Sequence, residues 1–157
     1  MPKPIFQKNN LAELMIENIK LLQELDTTIN IKFKNNFSKI NLDSDKEQLS
    51  RVFLNLIKNS IESIQQKAQN DNNTNKKIDI ELNDHDDHIN LTIIDTGIGF
   101  ENLKSNIKDI LNPYFTTKKN GTGLGLSIVN KIINDHNGNI EFIPINNGAK
   151  IKIIFKK

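Results

Sequence analysis

Cysteine and tryptophan are absent from these 157 residues, tyrosine occurs once, and Arg51 is the only arginine. Without cysteine there can be no disulfide and no thiolate metal site, and the composition suits a reducing compartment. No apolar run approaches the roughly 20 residues that cross a bilayer, and no secretory leader is recognisable. The charge balance is nearly even, with 21 Lys and Arg against 19 Asp and Glu. Apart from short pairs such as Lys76-Lys77 and Lys156-Lys157, the basic residues are dispersed. Nucleic-acid binding calls for a concentrated basic stripe, so that class is set aside. Hydrophobic residues make up 36% and charged residues 25%. That is enough, over this length, for one soluble domain with a real core.

Glycine is scarce too, and five of the seven glycines fall in two clusters. Asp95-Thr96-Gly97-Ile98-Gly99 follows the β-rich run Ile89 to Ile94, which puts a carboxylate and unencumbered backbone at a strand end. Gly121-Thr122-Gly123-Leu124-Gly125-Leu126 leads into Ile128, Val129, Ile132 and Ile133, a helical pattern. Free amides at a helix start, reached through glycines, suit an anion such as phosphate. Between the clusters stands Pro113-Tyr114-Phe115-Thr116-Thr117-Lys118. A nucleotide fits this layout better than a hydrophobic core does.

Upstream, residues 1–9 read as an extended lead, because Pro2 and Pro4 oppose helix. Asn10 caps a helix over Leu11–Leu25, with Glu13 in capping-box position and Leu11, Leu14, Met15, Leu22 and Leu25 as its sheet-facing stripe. Ile29, Ile31 and Phe33, then Ile40 and Leu42, alternate as two short strands joined by an Asn35-Asn36 turn. Asp43 to Asp45 starts the main helix, which runs to about Gln69 with Leu49, Val52, Phe53, Leu56, Ile57, Ile61 and Ile64 on its core face. Asn55 and Asn59, four residues apart, stack at the edge of that face. An uncharged amide oxygen there is a suitable Mg²⁺ ligand, with phosphate oxygens and water completing the shell. Two solvated asparagines in an asparagine-rich chain are the alternative.

Gln69 to Asn75 is a polar loop. Ile78, Ile80 and Leu82 pair with Ile89, Leu91 and Ile93 in a hairpin that delivers Asp95. His85 and His88, at its turn among Asp84, Asp86 and Asp87, are either a weak metal site or simply solvated. A lid over residues 100–120 holds a short helix near Leu103–Leu111. A helix over Leu124–His136 stops at Asn137-Gly138, with His136 at its last-turn dipole. Ile140–Phe142 and Ile151–Phe155 close the domain as a hairpin across Asn146-Asn147-Gly148. The fold class expected is an α+β two-layer sandwich, a mixed sheet with helices on one face.

Together these motifs resemble the catalytic, ATP-binding domain of sensor histidine kinases, in the Bergerat (GHKL) superfamily. Asn55-Leu56-Ile57-Lys58-Asn59-Ser60 is similar to its Asn box, Asp95 to Gly99 and Gly121 to Leu126 to its two glycine boxes, and Pro113 to Lys118 to its aromatic box. The start, Met1 to Pro4 followed by Asn10-Leu11, resembles the NtrY-like nitrogen-regulation sensors. The resemblance implies a lead over residues 1–9 from a dimerisation domain and one ATP-binding domain over 10–157. It implies Mg-ATP as substrate, with Asn59 holding the metal and Asn55, Asn59 and Lys118 serving catalysis. Asp95 would accept from the adenine amine, with Gly97 and Gly99 packed against the base. Lys58, Thr116, Thr117 and Lys118, with Gly121, Thr122, Gly123, Leu124, Gly125 and Leu126, would line the nucleotide, and Tyr114 and Phe115 would anchor the lid.

It further implies that the γ-phosphate passes to a histidine on a separate dimerisation domain, and from there to a response regulator. Nucleic acid and direct membrane contact play no part. The expected place is the cytoplasm, with the full sensor anchored in the inner membrane. Asn55 stands where hydrolysing members carry a glutamate base, and an amide takes no proton at neutral pH, so transfer is favoured over hydrolysis. None of His85, His88 or His136 stands in a phosphoacceptor context. Asn112, Ser60 and Asn137 replace a usual glutamate, alanine and glycine. A regulatory ATP-binding module and a GHKL-type ATPase are the competing functions.

Overall fold

Every second residue of the three central strands points into one core, and that alternation sets the architecture. A computed structural model of the chain describes residues 2–72, 75–100 and 125–157. The elements run β1 (Gln7–Asn10), α1 (Leu11–Gln23), β2 (Asn30–Asn35), β3 (Asn41–Ser44), α2 (Lys46–Asn70), β4 (Lys77–Asp84), β5 (His88–Asp95), α3 (Gly125–Asp135), β6 (Gly138–Ile145) and β7 (Gly148–Lys156). Five strands form a sheet in the order β2-β4-β5-β7-β6, and β1 pairs with β3 in a separate two-stranded ribbon. β2 and β4 are parallel and the other neighbours antiparallel, so the sheet is mixed.

Register carries Ile80, Ile93 and Ile151 across one row and Leu82, Leu91 and Ile153 across the next, all buried. The intervening residues, Asp79, Glu81, Thr92, Lys150 and Lys152 among them, are at least partly exposed. One face is therefore wet and the other is covered by α1, α2 and α3, whose apolar residues join the same cluster. The α2 stripe of Leu49, Val52, Phe53, Leu56, Ile57, Ile61 and Ile64 is wholly buried, which makes this helix the spine of the core. Its start is capped by Asp45, which accepts from the Gln48 amide. Ile5 N–H also donates to the Asp45 carboxylate, and these bonds hold it below the ordinary carboxylate range.

Three sequence expectations are corrected. β2 and β3 are not partners: β3 lies along β1, and Ile40 N–H donates to Asn10 Oδ1. β2 is held at the sheet edge instead, where Asn36 and Asp84 exchange two hydrogen bonds, side chain to backbone in both directions. Asn10 does cap α1, but through the Ala12 amide rather than the capping-box amide of Glu13. Leu25 lies past the end of α1 and is 56% exposed, because the Asp26–Thr28 turn ends the stripe at Leu22. The lead becomes strand β1 from Gln7 onward.

α3 ends where expected, and Asn137 itself takes the left-handed conformation, φ 57°. A side chain there is strained relative to glycine, even for asparagine. Asn137→Gly should raise stability by about 0.5–1 kcal/mol, or roughly 1–4 °C in a melt of a domain this size. A lowered Tm would show that the Asn137 side chain stabilises the turn.

Candidate functional site

The site is arranged along α2. Asn55 and Asn59 are both half-buried at the edge of its core face, and Lys58 between them is exposed. The start of α3 lies opposite: a Cβ on Gly125 would stand 3.6 Å from Asn55 Oδ1. The helix that begins the second glycine cluster's apolar run thus faces the first asparagine. Leu126 is half-buried beside the core. A cavity of about 850 Å³ opens here, lined by Lys46, Arg51, Leu54, Asn55 and Lys58 with Leu22 and Leu25. Three cations against Glu47 make its rim positive, although Asp95 takes no part in lining it. It borders the asparagine end alone.

Two turns further along α2, about 12 Å by helical rise, the helix meets the Asp95 loop. Asp95 ends β5 and is 4% exposed. Its Oδ1 accepts from the Gly97 amide at 2.9 Å. Burial pushes its carboxyl up from the ordinary range, opposed first by that amide, then by the Ser60 hydroxyl and the Lys67 charge. Ser63 Oγ accepts from the Ile98 amide at 2.9 Å. A Cβ on Gly97 would lie 2.1 Å from Ser63 Oγ, so glycine is what lets this loop lie against α2. Gly99 has φ +72° and its Cβ would meet the Gly148 carbonyl at 2.3 Å. Thr96 ties the loop to β4, its hydroxyl accepting from the Lys77 amide and donating to the Asn75 carbonyl.

Ser60, Ser63 and Gly148 were not singled out as site residues from the sequence. Ser63 continues the four-residue spacing of Asn55 and Asn59, and that spacing is the signal that would have found it, whereas Ser60 falls outside it. Gly148 carries none, since its role depends on contact with a loop some fifty residues away. The aromatic box with Tyr114, Phe115, Thr116, Thr117 and Lys118, the residues Gly121 to Leu124, and the lid with its helix lie outside the described residues.

The histidines are occupied structurally. His136 is 4% exposed, and its Nδ1 donates to the Ile132 carbonyl while its Nε2 accepts from the Asp45 amide. Those partners fix one neutral tautomer and join the end of α3 to the start of α2. The ring also packs 4.9 Å from Phe6. His85 and His88 stack at 4.6 Å, with His88 Nδ1 on Asp87. Among the described residues no group of three His, Cys, Asp or Glu could hold a metal. No helix among them is long and apolar enough to cross a membrane.

Comparison with known proteins agrees with this geometry. Residues 44–157 match the model of the histidine kinase-, DNA gyrase B- and HSP90-like ATPase family. A Rickettsia felis protein named as an NtrY-like sensor histidine kinase is 32% identical over 138 residues, which cover 88% of this chain and 22% of that one. The chain therefore spans about a fifth of that relative's length. The catalytic domain of the histidine kinase ThkA superposes with a TM-score of 0.82 at 29% identity, over 98% of this chain and 96% of that one. The same kinase in complex with the response regulator TrrA gives 0.75 at 27%, over 97% and 42%. With Asn55 set against the start of α3 and the Asp95 loop seated against Ser63 of the same helix, the chain belongs to the histidine kinase-like ATPase family, as a catalytic domain of the histidine kinase kind.

Proposed function

We propose that this chain binds Mg-ATP along α2 and transfers the γ-phosphate to a histidine on a separate dimerisation domain of its sensor. The observation that carries this reading is the placement of Asn55 beside Gly125 with Asp95 buried two turns away along the same helix. An adenine amine would donate to Asp95, and the phosphates would extend toward Asn55 and the amides that open α3. Asn55 and Asn59 offer hard, neutral oxygen donors of the kind Mg²⁺ takes, and phosphate oxygens supply the rest of its shell. The ion's contribution when bound would be to neutralise phosphate charge. Lys58 and Arg51 add positive charge at the same end. Lys118, from the aromatic box, would add a further cation.

Asn55 supports transfer over hydrolysis, because an amide cannot take a proton from water. Each histidine of the chain is committed to its own surroundings, and His136 has both nitrogens engaged. The acceptor would therefore come from the dimerisation domain, and a response regulator would follow. A place on the cytoplasmic side of an inner-membrane sensor belongs to the same proposal.

The test is calorimetry of Mg-ATP on Asn59→Ala. Losing a bond to a charged group should weaken affinity by about ten- to a hundredfold, and the Tm without ligand should stay near that of wild type, since Asn59 is only half-buried. Unchanged Mg-ATP affinity would remove Asn59 from the metal site.

A further inference from the structure

Helix α3 runs back along the first part of α2. Its start faces Asn55, a Cβ on Gly125 standing 3.6 Å from Asn55 Oδ1, and its end reaches Asp45, the residue that caps α2. His136 lies eleven residues after Gly125 and Asn55 lies ten after Asp45, so the two spans match at about 15–17 Å of helix. Val129, Ile132 and Ile133 are buried in the core, but apolar contact is non-directional and fixes no register along a helix axis. A hydrogen bond does fix one. Such a bond joins the two helix ends, the Asp45 N–H donating to His136 Nε2 at 3.0 Å while Nδ1 donates to the Ile132 carbonyl at 2.7 Å. Gln48, three residues after the cap, stands where a capping box would return a bond to that N–H. The N–H goes to His136 instead, and Gln48 donates to the Pro2 carbonyl.

We infer that His136 is a positioning residue for the phosphate end of the site: its bond to the Asp45 amide sets the register of α3 on α2, and with it the distance between the opening of α3 and Asn55. The inference rests on the nucleotide reading above and extends it to a residue at the opposite end of α3. The lead braces the same joint. Phe6 packs on the imidazole at 4.9 Å, and the Ile5 N–H donates to Asp45 Oδ2 at 2.9 Å. Loss of the joint lets α3 slide. A slide of one residue, about 1.5 Å, exceeds what a phosphate hydrogen bond tolerates. The base end is spared, because Asp95 ends β5 and its loop is seated on Ser63, beyond the stretch of α2 that α3 covers.

The experiment measures Mg-ADP and adenosine by NMR titration on the full chain, on His136→Asn and on His136→Gln. Asparagine keeps a donor for the Ile132 carbonyl but ends short of Asp45, whereas glutamine reaches Asp45 with an acceptor oxygen. Each variant loses a buried hydrogen bond, so both should melt below wild type, and Tm does not separate them. The ratio of the two affinities does. His136→Asn should bind Mg-ADP roughly two- to tenfold more weakly than wild type, the range of one neutral hydrogen bond, with adenosine unchanged. His136→Gln should keep the wild-type ratio. A wild-type ratio in His136→Asn, or a loss in His136→Gln as large as in His136→Asn, overturns the inference. Should neither variant fold, Phe6→Ala decides, at a position that is 48% exposed: a ratio lowered in the same direction supports the inference, and an unchanged one overturns it. Wild type binding Mg-ADP no better than adenosine would overturn the placement of the phosphates in the nucleotide reading, and the inference with it.

Discussion

Asp95→Asn should abolish useful nucleotide binding while leaving the fold intact. Asp95 Oδ1 already accepts from the Gly97 amide, which leaves its second oxygen for an adenine amine. Asparagine has a single oxygen, so one of those two donors must then face an NH₂ group. An unpaired donor in a dry pocket costs about 1–3 kcal/mol, and more when the lost acceptor is charged, so affinity should fall by about ten- to a hundredfold or more. The same argument predicts that wild type prefers ADP over GDP by a comparable factor, since guanine turns a carbonyl toward the carboxylate. Stability should move the other way. Burial raises the Asp95 carboxyl, so the folded state holds its proton more tightly than the unfolded state does. That makes the free fold lose stability as pH rises from the ordinary carboxylate value through the raised one. A neutral amide escapes the penalty, so at pH 7 the unliganded variant should melt at or above wild type. Calorimetry and melts at pH 7 check both halves. A variant that binds ADP like wild type would mean that Asp95 serves the loop through Gly97 and does not read the base.

Much of this site was legible because it follows periodicity. Alternation through Ile89, Leu91 and Ile93 put Asp95 on the core side of β5, where it lies. The 3.6-residue pattern of α2 placed Asn55 and Asn59 at the edge of the buried stripe, and both are half-buried. Those inferences need only local geometry. Strand partners are another matter. Ile29 to Phe33 and Ile40 to Leu42 signal strands, but alternation carries no information about pairing, and a parallel partner is reached only through α2. The Asn36–Asp84 exchange that settles the edge joins residues 48 apart.

Glycine shows the same divide. The clusters around Gly97 and Gly125 announce close approach, and the sequence alone suggests a ligand as the approaching body. At Gly97 the neighbour is Ser63, and at Gly99 it is Gly148, so these glycines first serve to seat the loop between α2 and β7. A seated loop is a precondition for a rigid base site.

Phosphoryl transfer carries the second large effect. Alone, the chain should bind Mg-ATP, hydrolyse it hardly at all, and leave its own histidines unlabelled. His136 is buried with both nitrogens bonded, and Asn55 has no basic oxygen to offer a water. Adding the proposed dimerising helical hairpin as a separate chain should turn labelling on, because the γ-phosphate then meets a nucleophile in line. The rate should stay well below that of a joined protein, since tethering supplies an effective concentration of order mM that dilute mixing lacks.

Radiolabelled ATP with Mg²⁺, with and without that hairpin, followed by acid treatment, is the measurement that bears most directly on the proposed activity. Acid-labile label on the hairpin, none on this chain, and almost no free phosphate is the predicted result. Label on this chain alone, rapid hydrolysis without the hairpin, or no transfer to a hairpin known to be competent would contradict it.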